Sequence, residues 1–95
     1  MTEFEAGRRM PATAEHVYAV AARRNDWLPG PGSAEPPRRP GRLRLEWDAG
    51  WLQVEPGAAG TSHATLHLSF PDEPGAPGRI RAALDRLAVL SGSPG

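Results

Sequence analysis

The sequence predicts an α+β domain in which an antiparallel sheet of about four strands packs against a long carboxy-terminal helix, with a short helix after the first strand. Apolar and polar residues alternate in four segments, and apolar residues recur at helical spacing in two others. The chain has 95 residues, which is the size of one domain. We therefore predict a single domain over residues 1–95, with a proline-rich connection at 25–41.

The first strand and the first helix are predicted from residues 3–23. Apolar and charged side chains alternate over residues 3–10, as in a strand with one buried face, except that Arg8 falls on the apolar side. Pro11 ends this strand, and Thr13 is a suitable N-cap for the following helix. The apolar stripe of that helix consists of Ala14, Val17, Tyr18, Val20 and Ala21.

The connection at 25–41 contains five prolines and three glycines, so we predict no helix or central strand there. A three-strand meander follows, with strands at 42–48, 51–55 and 61–70 and short turns between them. In the first of these strands Leu43, Leu45 and Trp47 share the apolar face. In the third strand the apolar and polar side chains again alternate, which places His63 and His67 on the outer face.

The last element is a helix over residues 79–91, for which Gly92 is a plausible C-cap. Its apolar stripe should cover the apolar face of the sheet. The residues of this stripe are Ile80, Ala83, Leu84, Leu87 and Leu90.

The overall composition excludes several classes of function. Eleven basic residues, all of them arginine, balance eleven acidic ones, and this neutrality argues against a nucleic-acid partner. The absence of cysteine excludes a disulfide framework and thiol catalysis. The acidic amino terminus does not read as a secretory signal, and no apolar run approaches the roughly 20 residues that span a bilayer. We therefore expect a cytoplasmic protein.

Three stretches carry a resemblance to a known superfamily. Residues 10–20 combine a strand end, a small-residue helix cap and an acidic residue before the Val17–Tyr18 pair, and Trp27 follows the helix. A Gly60–Thr61 turn precedes an alternating strand, and residues 79–91 stand where a long terminal helix would be. Together they resemble the START and polyketide-cyclase superfamily, also called helix-grip proteins.

This resemblance implies a sheet and a helix that grip an apolar small molecule. Members usually have six or seven strands, and the strands missing here would come from residues 25–41. A narrower sheet implies a cavity that is small, open at one side or absent. It also implies an exposed edge that pairs with a second subunit, giving a homodimer.

The first function hypothesis is a binding module for an apolar or aromatic small molecule, without a cofactor. Tryptophans 27, 47 and 51 either line an aromatic pocket or build the core of a small domain. The candidate ligand-binding residues are Tyr18, Trp27, Leu45, Trp47, Leu66, Leu68, Phe70, Leu84 and Leu87.

Two alternatives remain open. One is a protein-interaction or dimerisation module without a pocket; the other is a small cyclase or dehydratase in which Tyr18, Arg44 or a histidine assists proton transfer. No specific catalytic motif is present. His63 and His67 would lie roughly 13 Å apart on one strand, too far to share a metal, so we predict no metal site. The alternating charges Arg44, Glu46 and Asp48 fit either an acid/base group or a solvated strand face.

Overall fold

The structure, a computed structural model, describes residues 2–23, 27, 38–41, 43–47, 50–70 and 75–92. It contains five strands and two helices in these ranges. Their bounds are β1 Thr2–Met10, α1 Ala14–Arg23, β2 Arg38–Gly41, β3 Arg44–Trp47, β4 Gly50–Pro56, β5 Ser62–Phe70 and α2 Ala76–Gly92. The predicted α+β class, with a short helix after the first strand and a long helix at the end, is confirmed.

The five strands form one antiparallel sheet in the order β1-β5-β4-β3-β2. The fifth strand is β2, which lies inside the connection where we predicted no helix or central strand; because β2 is an edge strand, it does not contradict that prediction. It tolerates Pro40 because it is an edge strand, where a missing N–H need not break a ladder. Its pairing with β3 is irregular between Arg38 and Gly41, which explains why no alternating pattern marks it in the sequence.

Both helices pack on one face of the sheet, called here the inner face. α2 lies against β1 and β5, α1 lies against β4 and β5, and the two helices contact each other. The apolar side chains of the predicted strands and helices meet in this layer and form one buried cluster. Arg8, the exception in the β1 pattern, also faces this side, and its Nε lies 2.8 Å from Asp85 Oδ1 of α2.

The helix ends agree with their sequence signals in part. Thr13 is the N-cap of α1: its Oγ1 accepts a hydrogen bond from the His16 amide at 3.3 Å. α2 begins three residues earlier than predicted and includes Pro77. A proline is tolerated there because it lies in the first turn, where its missing N–H breaks no helical bond. Gly92, the predicted C-cap, is the last residue of the helix. No helix in the described ranges is long and apolar enough to cross a membrane.

The turn between β4 and β5 contains a residue, Ala59, in an unfavourable backbone conformation. The Thr61 amide donates to the Ala58 carbonyl at 3.1 Å, and the two residues between them, Ala59 and Gly60, have φ values of 52° and 78°. Two consecutive positive φ values define a type I′ turn, for which Asn-Gly is the preferred pair. Ala59 is exposed, so its side chain contributes little packing to offset the unfavourable conformation.

We expect Ala59→Asn to raise the free energy of unfolding by about 0.5–1 kcal/mol, because asparagine tolerates the left-handed region better than alanine. Urea unfolding followed by circular dichroism measures this change. Ala58→Asn is the control, since Ala58 is equally exposed and has no positive φ. An equal gain in both variants would contradict the turn assignment.

Candidate functional site

Most of the predicted ligand-binding residues lie in the closely packed core. Seven of them are at most 2% exposed: Trp27, Leu45, Trp47, Leu66, Leu68, Leu84 and Leu87. The rings of Trp27 and Trp47 meet edge to face, with centroids 5.9 Å apart. The Trp27 indole N–H donates to the Ala21 carbonyl at 3.4 Å. The Phe70 side chain lies outside the described part of the chain. Ligand binding by these residues stays a prediction.

One polar atom in this core is unsatisfied. Within the described residues, the indole N–H of Trp47 has no hydrogen-bond partner, although the side chain is 2% exposed. A buried donor without a partner costs about 1–3 kcal/mol. The other six side chains have no unpaired polar group, so the Trp47 N–H is the place in this core where a ligand could accept a hydrogen bond.

Tyr18 differs from the seven because it lines a surface groove. The groove has a volume of about 530 Å³ and lies between α1 and the β2–β3 hairpin. This volume is within the usual range for small-molecule sites, roughly 300–1,000 Å³. The described residues that line it are Glu15, Tyr18, Ala19, Ala22, Arg23, Arg39 and Leu43. The structure thus provides a ligand-sized recess at one of the nine predicted residues.

The polar groups of the groove are mostly cationic. The guanidinium carbon of Arg39 lies 6.0 Å from the centre of the Tyr18 ring, at the outer limit of a cation–π contact. Arg23 donates from Nε to the Ala19 carbonyl at 3.3 Å, which holds its side chain along α1. Among the described residues that line the groove, Glu15 is the single acidic one, and Arg23 and Arg39 together outweigh its charge.

Leu43 closes the groove in a strained conformation. We predicted Leu43 as a strand residue on the apolar face; it does pack against the buried cluster, but it belongs to the connection between β2 and β3 and has a φ of 60°. Its carbonyl accepts hydrogen bonds from the Val54 amide at 2.9 Å and from Gln53 Nε2 at 3.4 Å. Positive φ at a branched apolar residue costs on the order of 1–3 kcal/mol, and such strain concentrates at functional sites.

A second cluster lies on the outer face of the sheet, opposite the helices. The rings of Trp51 on β4 and His67 on β5 are stacked, with centroids 5.3 Å apart and planes within 4°. From the β3 side, the Arg44 guanidinium lies 4.6 Å from the Trp51 ring centre. Arg44 Nε also donates to Glu46 at 2.9 Å, and His67 Nε2 donates to Glu3 at 2.9 Å. The cluster joins four neighbouring strands.

This cluster corrects one prediction and confirms another. Trp51 does not lie beside Trp27 and Trp47 in a pocket or in the core, because it projects from the other face of the sheet. His67 is on the outer face as predicted, but its side chain is only 22% exposed because Trp51 and Glu3 cover it. His63, predicted on the outer face, is exposed, and so is His16 of α1.

The residues named for the enzyme alternative are not brought together. Tyr18 is on α1 and belongs to the inner side, whereas Arg44 and His67 lie on the outer face of the sheet. Arg44 and Glu46 form an ion pair at 2.9 Å, and Asp48 lies outside the described residues. In the described ranges no group of three or more histidine, aspartate or glutamate residues is arranged to hold a metal ion.

Comparisons with known proteins identify no relative. The chain matches no protein-family model, and no curated protein or solved structure shows significant similarity to it.

Sequence reasoning missed Arg23, Arg39 and Leu43 as groove residues, and Trp51 as the centre of the outer cluster. A signal for Trp51 was available, since it is out of phase with the buried Leu52 and Val54. No comparable signal marked Arg39, because the strand that carries it lies in the proline-rich connection.

Proposed function

We propose that this chain is a binding module for a small molecule with an aromatic or apolar body and an acidic group. The observation that carries the proposal is the groove at Tyr18, whose volume of about 530 Å³ suits such a ligand. Ala19, Ala22 and Leu43 supply apolar surface, and the Tyr18 ring supplies an aromatic wall.

Arg23 and Arg39 favour a negatively charged group on the ligand. Guanidinium groups pair with carboxylates through two parallel hydrogen bonds, which fix the orientation of the acid as well as attracting it. Leu43 is held in its strained conformation by hydrogen bonds from β4, so this part of the groove is preorganised. The resemblance to helix-grip proteins supports binding of an apolar body, and membership of that superfamily is part of the proposal.

Titration of the isotopically labelled protein with naphthoate, followed by nuclear magnetic resonance, tests the proposal. We expect the largest shifts at the amides of α1 and of Leu43. Naphthalenemethanol, which keeps the ring system and lacks the charge, should bind the same residues more weakly. Shifts confined to other parts of the chain, or no shifts at all, would refute binding in this groove.

Substitutions separate the contributions of ring and charge. We expect Arg39→Gln to weaken naphthoate binding by about five- to tenfold, which is about 1–1.4 kcal/mol, and to leave naphthalenemethanol unaffected. Tyr18→Ala should weaken both probes, because it removes the aromatic wall. Arg81→Gln is the matched control, since Arg81 is an exposed arginine of α2 that does not line this groove.

The second candidate is a protein-interaction module without an internal pocket. The packing of seven predicted ligand residues into the buried cluster favours it, because those side chains already contact one another. Its partner would use a surface of the sheet rather than the space between sheet and helices.

A further inference from the structure

The two edges of the sheet differ in how well they are protected from pairing with another strand. β2 is four residues long, contains Pro40 and pairs irregularly with β3, three features that prevent an edge from adding a further strand. β1 is nine residues long, contains no proline and keeps one uninterrupted register with β5. β1 thus lacks the three features that protect β2, and its backbone can accept a partner strand.

The charges of β1 are arranged in opposite halves of the strand. Glu3 and Glu5 lie in the first half, and Arg8 and Arg9 lie near its end. A second β1 strand in the antiparallel direction places acidic residues opposite basic ones, whereas a parallel strand places like charges side by side. Directly opposite charges of unlike sign stabilise a strand pair, and like charges destabilise it. β1 is thus complementary to an antiparallel copy of itself.

We propose that β1 pairs with β1 of a second copy of this chain about a two-fold axis at Ala6. This register uses all nine residues of the strand and sets Thr2 opposite Met10 of the partner subunit. Glu3 then faces Arg9 of the partner subunit, and by symmetry the pair occurs twice. An axis at Gly7 shortens the pairing to seven residues, and an axis at Glu5 sets that glutamate against its own copy.

The exposure of the β1 side chains, and the face of the sheet from which each projects, agree with this register. Glu3, Glu5, Gly7 and Arg9 alternate along the outer face and are all exposed. Opposite residues of an antiparallel pair project from the same face, so Glu3 and Arg9 of the partner subunit emerge on the same side of the joined sheet. The result is a continuous ten-stranded sheet with all four helices on one side.

Two existing contacts compete with the pairing, and both are at the surface. His67 holds Glu3 at 2.9 Å, but the Glu3 side chain remains 69% exposed and can reach a second cation. Arg8 Nη1 donates to the Arg9 carbonyl at 3.0 Å in an exposed contact, so water can replace it when β1 pairs. Asp85 faces Arg8 from α2 and lies on the inner face, away from Glu3 and Arg9.

Charge reversal combined with mixing tests the proposal on the full chain. Sedimentation velocity over a concentration series should show a dimer of the unaltered protein. Glu3→Arg alone and Arg9→Glu alone should each weaken the dimer about tenfold or more, which is about 1.4 kcal/mol, because two attractive pairs become repulsive. The doubly substituted chain, Glu3→Arg with Arg9→Glu, should recover dimerisation.

An equimolar mixture of the two single variants provides the sharpest readout. Each residue 3 then faces a residue 9 of opposite charge, so native mass spectrometry should detect mainly the heterodimer. Glu5→Arg is the matched control, since residue 5 faces Gly7 of the partner subunit and its reversal should have a smaller effect. Circular dichroism establishes that each variant is folded.

Three results would overturn the proposal: a monomer up to millimolar concentration, a dimer unaffected by either single reversal, or no preference for the heterodimer in the mixture. The experiment uses no small molecule, so a result against dimerisation would not bear on ligand binding in the groove at Tyr18. Conversely, absence of naphthoate binding would not affect the dimer.

Discussion

Replacing Trp27 with alanine is expected to lower the free energy of unfolding by about 3–5 kcal/mol. The side chain is 0% exposed, it packs edge to face against Trp47, and its indole N–H is hydrogen-bonded to Ala21. Its removal leaves a cavity and takes away the hydrogen bond to the Ala21 carbonyl. Small domains are stable by about 5–15 kcal/mol in total, so a substantial fraction of the variant is expected to be unfolded at 37 °C.

Trp51→Ala is the matched control for this prediction. Trp51 is the same residue type on the outer face, where it is partly exposed and contacts His67 and Arg44. Loss of the stack and of the cation–π contact should cost about 1–2 kcal/mol. Urea unfolding followed by far-ultraviolet circular dichroism compares the two variants. Equal losses would show that Trp27 is not the core residue that its burial indicates.

Gly50→Ala is expected to destabilise the domain by about 2–3 kcal/mol through steric overlap. A Cβ at this position would overlap the carbonyl oxygen of His67 and lie 2.9 Å from the Leu68 Cα. These are backbone atoms of β5, which is paired on both sides and cannot move without disrupting the ladder. The first residue of β4 must therefore be glycine for β4 and β5 to approach this closely.

Gly41→Ala separates this steric effect from a general effect of replacing glycine in a strand. Gly41 ends the edge strand β2, and a Cβ there would meet nothing within 4 Å among the described atoms. Its replacement should change the free energy of unfolding by less than about 0.5 kcal/mol. The midpoints of urea unfolding measure both variants. A similar loss at Gly41 would contradict a specific role for Gly50.

The contrast between Leu43 and Leu45 shows what an alternating sequence pattern can and cannot predict. Both residues fit one alternating strand, and Leu45 is indeed buried on β3. Leu43 is instead in the preceding hairpin connection, because β2 folds back onto β3 and Gly41 pairs with Arg44. Alternation within a segment could not indicate this pairing, since it depends on a strand from the proline-rich connection.

The candidate sites were less predictable than the strands, for a related reason. Burial of Leu66, Leu84 and Leu87 follows from their periodic spacing, so their place in the core was predictable whatever their role. The groove combines Tyr18 with Arg39 and Leu43, and the outer cluster combines Trp51 with His67 and Arg44. Each set joins neighbouring strands to an element more distant along the chain, α1 for the groove and β5 for the outer cluster.

The sequence by itself determined the α+β class, the two helices and the inner and outer faces of most strands, because side-chain periodicity is a local property. The tertiary structure decided which strands are neighbours, and hence that β1 lies beside β5 at one edge and β2 lies at the other. It also decided which side chains meet at the groove and at the outer cluster. These features depend on contacts between distant segments, whose register is set by the packing of the whole sheet against its helices.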